Sequence, residues 1–309
     1  MSYIFSRKET ESIESHFGEE FYNKLPSYLD IYSDKWGLTI SSLIDNFSMN
    51  ILFLCESKKH GDSVLKISGF LDDDGFTNEY NVLKEYRCKK AYRKLLAYDI
   101  EKKVMLLDRI SPGTALKTEP FLENRLAVFS KLFNGLHIKP ENPGLFKKRT
   151  DAVVDWLKFA NNKDAYHEIH PHLVKAVDYC EHISSEYPNE VLLHGDLAFN
   201  NILLGSDGTY YIIDPQGMVG SFIYDTGRYM LIECYNAIGD SKDMENAFNV
   251  VCKVIDYFEK SLNIPNEILR KCFYIELVTY ECWSKSFWGD YDINNIILAE
   301  KVLNIREIE

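Results

Sequence analysis

His194-Gly-Asp-Leu-Ala-Phe-Asn-Asn-Ile-Leu-Leu204, followed by Tyr211-Ile-Ile-Asp214, decides how this 309-residue chain reads. The apolar run Glu190-Val-Leu-Leu193 leads into it, so Asp196 would present its carboxylate from a loop after a strand. Asn201 follows five residues later and can return its side-chain oxygen to the same place. A turn at Gly205-Ser-Asp-Gly208 would fold Asn201–Leu204 back on Tyr210–Ile213 and bring Asp214 near Asn201. Phosphoryl transfer asks for positioning and charge neutralisation more than for covalent help. It needs a carboxylate to accept a hydroxyl proton and oxygen ligands for Mg2+ on the triphosphate. A lone His-Gly-Asp is weak, because Asp after Gly is common in turns. Asn five residues on, then an apolar strand and Ile-Asp ending thirteen residues after that Asn, is much harder to reach by chance.

Upstream of this stretch, Asn50-Ile-Leu-Phe-Leu-Cys55 and Ser63-Val-Leu-Lys-Ile-Ser68 are compact apolar runs, and Ser57–Asp62 would join them as a hairpin. A helical pattern is predicted from about Thr77 to Leu96, then a strand over Lys103–Asp108. Ser111-Pro-Gly-Thr114 marks the best domain boundary. Beyond it, Phe121, Leu122, Leu126, Phe129, Leu132, Phe133 and Leu136 recur at helical steps. Further helices are expected over 151–160, 172–185, 221–238, 243–262 and 267–287. The order implies an α+β chain with a small sheet lobe and then a helical lobe carrying a β insert. A small antiparallel-sheet lobe with one key helix would cover residues 1–110, and a mostly helical lobe with the catalytic loop 111–309.

Composition excludes more than it asserts. Hydrophobic residues at 46% and charged residues at 27% are ordinary for a globular protein. No apolar run reaches membrane-spanning length and no secretion signal opens the chain, so a cytoplasmic location is expected. The seven cysteines are widely spaced without a Cys-x-x-Cys pair and read as reduced, buried thiols. His167, His170 and His172 read as a polar turn rather than a metal site. A net charge of −12 argues against nucleic acid as the partner. Residues 1–110 carry 16 basic and 18 acidic side chains, so most of the excess, −10, falls in the second part. That part is the expected docking surface if the partner is a cation, although an acidic surface that merely keeps the protein in solution explains the charge equally well.

Four blocks carry a resemblance to a known group. They are Val64-Leu-Lys-Ile67, Met105–Leu116, Leu192–Leu197 with Asn201, and Ile213-Asp-Pro-Gln-Gly-Met-Val-Gly220 with Tyr224-Asp225. Together they resemble the aminoglycoside phosphotransferase superfamily, and within it the streptomycin kinase and hydroxyurea phosphotransferase family. The resemblance implies a bilobal, protein-kinase-like fold, with ATP, or GTP, and Mg2+ as cofactors. It implies that Lys66 binds phosphates and pairs with Glu79, with Glu85 as the fallback, and that the backbone from Asp108 to Ile110 meets adenine. Asp196 would be the catalytic base, and Asn201 and Asp214 the Mg2+ ligands. Three departures stand out: Ala198 replaces a histidine, Gly220-Ser221 replaces Gly-Asp, and Asp45–Asn50, where a glycine-rich phosphate loop would fall, holds no glycine.

For the acceptor, the acidic helical lobe offers Asp225, Glu233, Glu276, Glu281 and Trp283. Glu276, Tyr280 and Trp283 share a helix face that could hold a cation against a carboxylate and rings, although core packing also explains the two aromatics. The expected reaction is transfer of the ATP γ-phosphoryl to a hydroxyl of a small cationic molecule, with an aminoglycoside such as streptomycin leading. Kept open are a metabolic kinase for an amino alcohol or sugar amine, and a pseudokinase-like binding protein. No nucleic acid or membrane partner is expected.

Overall fold

The computed structural model describes residues 3–45, 49–69, 75–87, 89, 91–161 and 163–305. Residues 46–48 of the glycine-free stretch and Cys88 lie outside the described residues. The chain divides into two compact units. One comprises residues 1–114 and 204–213, the other 115–203 and 214–309.

The first unit begins with two helices, α1 (Arg7–Phe17) and α2 (Glu19–Trp36). Ser6 and Glu9 close a capping box that satisfies free N–H groups at the start of α1, and Gly37, at φ 64°, ends α2 in the left-handed region. Strands β1 (Leu38–Leu43), β2 (Asn50–Ser57) and β3 (Gly61–Ser68) follow, then α3 (Gly75–Glu85), β4 (Leu95–Asp99) and β5 (Val104–Asp108). They form one five-stranded antiparallel sheet in the order β1-β2-β3-β5-β4, and the β2–β3 hairpin turns where the sequence predicts it. Ile13, Leu25, Leu29 and Tyr32 of the opening helices pack on Ile51, Phe53, Leu65 and Leu106 of the sheet. Burial of each such side chain contributes about 1.5–3 kcal/mol.

The helix predicted to Leu96 stops at Glu85. Its later apolar positions are buried for other reasons. Tyr86 stacks on Tyr92 with ring centroids 4.0 Å apart, and Leu95 belongs to β4, opposite Leu107. A short apolar run has no period of its own to separate helix from strand, and pairing with β5 decides for strand. The opening helices add two to the single key helix expected of this lobe.

Strand β6 (Pro112–Ala115) leads to α4 (Leu122–Leu136), β7 (Lys147–Lys148), α5 (Arg149–Ala160), α6 (His170–Glu186) and β8 (Val191–Leu193). Then come β9 (Ile202–Gly205), β10 (Tyr210–Ile212), β11 (Met218–Gly220), α7 (Tyr224–Ile238), α8 (Met244–Leu262), α9 (Asn266–Trp288) and α10 (Ile293–Leu303). In the second unit β11 lies between β7 and β8, parallel to the first and antiparallel to the second. Helix α9 is its spine, burying Leu269, Phe273, Leu277 and Val278, and α10, which the sequence reading did not single out, packs along it. The β9–β10 hairpin forms a sheet of order β10-β9-β6, and Ile212 exchanges backbone bonds with Ala91 and Arg93. Among the described residues no helix is long and apolar enough to cross a membrane.

Candidate active site

The loop after β8 owes its shape to a glycine and a buried aspartate. Gly195 sits at φ 80°, where a side chain is strained, and an added Cβ would lie 3.3 Å from Gln216 Cβ. The N–H of His194 donates to Asp225 Oδ2 at 2.9 Å and that of Gly195 to Oδ1 at 3.0 Å. His137 Nε2 reaches Oδ2 as well, at 2.9 Å. Burial alone would raise the Asp225 pKa; the His137 bond, the neighbouring imidazoles and the loop amide outweigh it and hold the carboxyl below the usual range. On the other side of the turn, the N–H groups of Gln216 and Gly217 donate to His194 O at 2.8 and 3.2 Å. Asp196 N–H donates to His194 Nδ1 at 3.1 Å, which makes that nitrogen the acceptor.

Asp196 is thereby held partly exposed at the open end of the turn. Asn201 Nδ2 donates to its main-chain oxygen at 2.9 Å and to Oδ2 at 3.0 Å, while Arg228 Nε, from α7, donates to Oδ1 at 2.6 Å. The amide nitrogen of Asn201 is thus committed to Asp196, which leaves its Oδ1 for a cation. Asp214 is exposed and lies at φ 61°, a backbone position costing of order 1–3 kcal/mol outside glycine, of the kind that clusters at functional sites. It is tied to the loop through Gln216, two residues on. An amide oxygen and a carboxylate make an all-oxygen donor pair, which suits Mg2+, an ion that keeps several water or phosphate oxygens besides its protein ligands. The residues fit the ion.

In the first unit, Lys66 on β3 is buried, and its Nζ lies 2.5 Å from Glu79 Oε2 on α3. Glu79, not Glu85, is the carboxylate that faces the lysine. The hinge candidate Asp108 is largely occupied. Its N–H donates to Lys94 O, its main-chain oxygen accepts from Arg93 Nε at 2.8 Å, and its carboxylate accepts from Lys94 N–H. Burial pushes that carboxyl up. Arg109 N–H is bonded to Asp62 O at 3.2 Å. Ile110, the last residue of the expected hinge, is buried.

The acceptor candidates need correction. Asp225 is 2% exposed and braces the loop after β8. Glu233 is wholly buried, its oxygens accepting from Arg125 Nε at 2.8 Å and Nη2 at 2.6 Å. Glu281 is also buried and accepts from Tyr235 Oη, from Asn295 Nδ2 at 2.7 Å and from Asp292 N–H at 2.9 Å. Acidic residues inside a helical unit must find such donors to be tolerated, so none of these three faces an acceptor. Glu276 is partly exposed but already lies 2.6 Å from Arg149 Nη2 and 3.7 Å from Arg228 Nη1. Trp283 stands in a row with Tyr280 and Phe287, at centroid distances of 5.5 and 5.4 Å. Arg228, Arg149 and His137 were missed by sequence reading. Only Arg228 left a trace: an arginine in the otherwise buried stretch Tyr224–Leu231, near a helix N-terminus, where a cation is disfavoured.

The sequence profile of the aminoglycoside/hydroxyurea antibiotic resistance kinases matches residues 42–287. A streptomycin 6-kinase of Streptomyces griseus is 28% identical over 134 residues, 43% of this chain and 43% of that protein's length. Among solved structures, choline kinase LicA from Streptococcus pneumoniae superposes with a TM-score of 0.63 at 12% identity, over 91% of this chain and 99% of that one. The aminoglycoside phosphotransferase APH(3'')-Id from Streptomyces rimosus gives 0.54 at 14% identity, over 82% and 98%. At such identities the structural likeness establishes the fold alone: an antiparallel sheet and a mostly helical remainder, as in small-molecule kinases.

Proposed function

The chain belongs to the aminoglycoside/hydroxyurea antibiotic resistance kinase family, and on that footing we propose that it transfers the γ-phosphoryl of ATP to a hydroxyl of a small molecule, an aminoglycoside first among them. The observation that carries this reading is the carboxylate of Asp196, held on a braced turn by Asn201 and Arg228 while staying partly exposed. The acceptor oxygen attacks the γ-phosphorus as Asp196 takes its proton, and the bond to the β–γ bridging oxygen breaks to release ADP. Lys66, paired with Glu79, suits the α- and β-phosphates as a point charge. Mg2+, held by Asn201 Oδ1 and Asp214, would supply charge neutralisation on the triphosphate. The sheet unit then carries the nucleotide and the helical unit the acceptor, in the cytoplasm. The −10 charge beyond residue 110 favours a cationic acceptor. The family profile and the streptomycin 6-kinase relative support the aminoglycoside choice. A small amino alcohol is the second reading, favoured by the aromatic row of Tyr280, Trp283 and Phe287, which suits an ammonium.

The test is ATP consumption with Mg2+ over a panel of streptomycin, other aminoglycosides, hydroxyurea, choline and ethanolamine, with the phosphorylated product identified by mass. Turnover confined to one class names the acceptor. No turnover with any of them, while Mg·ATP still raises the melting temperature, would leave a nucleotide-binding protein without transfer and overturn the reading.

A further inference from the structure

Arg228 connects two carboxylates of the helical unit, one on the catalytic loop and one on α9. Its Nε lies 2.6 Å from Asp196 Oδ1 and its Nη1 3.7 Å from Glu276 Oε1, with the Tyr280 ring 5.5 Å from its Cζ. The other oxygen of Glu276 is 2.6 Å from Arg149 Nη2, which also donates to Thr279 Oγ1 at 3.3 Å. Asp196, Arg228, Glu276 and Arg149 thus form a chain of alternating charge through the loop, α7, α9 and α5. Burial works against the Arg228 charge, and Asp196 and Glu276 more than offset it.

We infer that Arg228 is the positioning residue of the proposed transfer: it fixes the Asp196 carboxylate in its working orientation, and Glu276 with Arg149 fixes Arg228. The inference rests on the kinase reading above. A carboxylate turns freely about its last torsion, a broad and roughly two-fold rotor. Here the rotor is pinned at both ends, by Arg228 on Oδ1 and Asn201 on Oδ2. Two oxygens offer about four acceptor positions, so two donors still leave room for an acceptor hydroxyl. A guanidinium suits this task because its Nε can donate to Asp196 while its spread charge also lies at ion-pair distance from Glu276, where a lysine offers one point charge. The same chain leaves Glu276 matched by guanidinium groups, so an acceptor ammonium does not find a free carboxylate there.

The test compares wild type with Arg228→Met, Arg228→Lys and Arg228→Ala at saturating Mg·ATP and saturating acceptor. Arg228→Met should lose about 10–100-fold in kcat, since a misplaced catalytic group can cost about 10²-fold. The KM for ATP should not move. Lysine should restore part of the loss, and added guanidinium should restore part of the activity of Arg228→Ala where sodium chloride of equal ionic strength does not. A kcat for Arg228→Met equal to wild type overturns the inference. So does a loss that follows the melting temperature alone with no rescue by guanidinium, because Arg228 would then merely tether α7. A wild type that turns over no acceptor overturns the kinase reading itself, and is told apart from failure of the inference by needing no variant.

Discussion

The carboxylate of Asp225 takes the main-chain N–H of Gly195 at 3.0 Å and that of His194 at 2.9 Å, so one buried side chain holds two consecutive amides of the turn before Asp196. Two free N–H groups pointing the same way form a concave anion site. Here it is filled from within the fold, by an aspartate at the start of α7 that His137, the residue after α4, also approaches. The turn that presents Asp196 is therefore rigid before any substrate arrives, and its rigidity has a consequence in pH.

The folded-state pKa of Asp225 is depressed below the ordinary aspartate value near 4. A depressed carboxyl stabilises the fold above its unfolded pKa, and the contribution is lost as pH falls through the folded value. Asp225→Asn should therefore lower the melting temperature at neutral pH. The gap to wild type should narrow as pH drops below about 4. Melting curves by circular dichroism across that range check the sign; a gap that widens in acid contradicts the assignment.

Asp196→Asn keeps the geometry of the side chain and removes the base. Phosphoryl transfer should fall by about 10²–10⁴-fold while ATP binding persists, the usual worth of general-base help. Single-turnover rates beside calorimetric ATP affinities separate the two, and a rate near wild type would remove Asp196 from the mechanism.

Asp214→Ala should weaken Mg·ATP more than free ATP, because the carboxylate is assigned to the ion and not to the base. The substitution also replaces a residue at φ 61° with one that tolerates it no better, so backbone strain alone will not raise stability. Calorimetry with and without Mg2+ is the measurement, and equal losses in both forms count against the ligand role.

Lys66 and Glu79 have side chains only 3% and 7% exposed, so each charge depends on the other. Breaking a buried pair costs about 3–5 kcal/mol, whereas replacing both partners by apolar groups is often close to neutral. Glu79→Gln should destabilise strongly, and the double variant Lys66→Met, Glu79→Leu less than Glu79→Gln alone. Denaturant unfolding gives the stabilities. ATP affinity should stay poor in the double variant even though its stability is recovered, which separates the lysine's phosphate role from its structural one.

Some of this was legible in the chain because it is local. Asp196, Asn201 and Asp214 stand at fixed offsets around two short apolar strands. The helical periods of α4 to α9 could be read because each buries one face against neighbours. Pairing across distance could not be read. Tyr86 and Leu95 continue a helical period on paper, but β5 draws Leu95 into a strand, since a backbone ladder satisfies the N–H and C=O groups there. The acidic candidates failed for the same reason. Asp225, Glu233 and Glu281 look like acceptor ligands in a sequence of net charge −12, yet inside the helical unit each is surrounded by donors from other elements. Charge composition counts carboxylates, but only the tertiary structure decides which are buried and matched, because the cost of burying one must be met by particular donors at hydrogen-bond distance. Arg228 is the clearest case: three residues after Asp225 the sequence marks it only as a cation near a helix start, and only the fold places its guanidinium on Asp196.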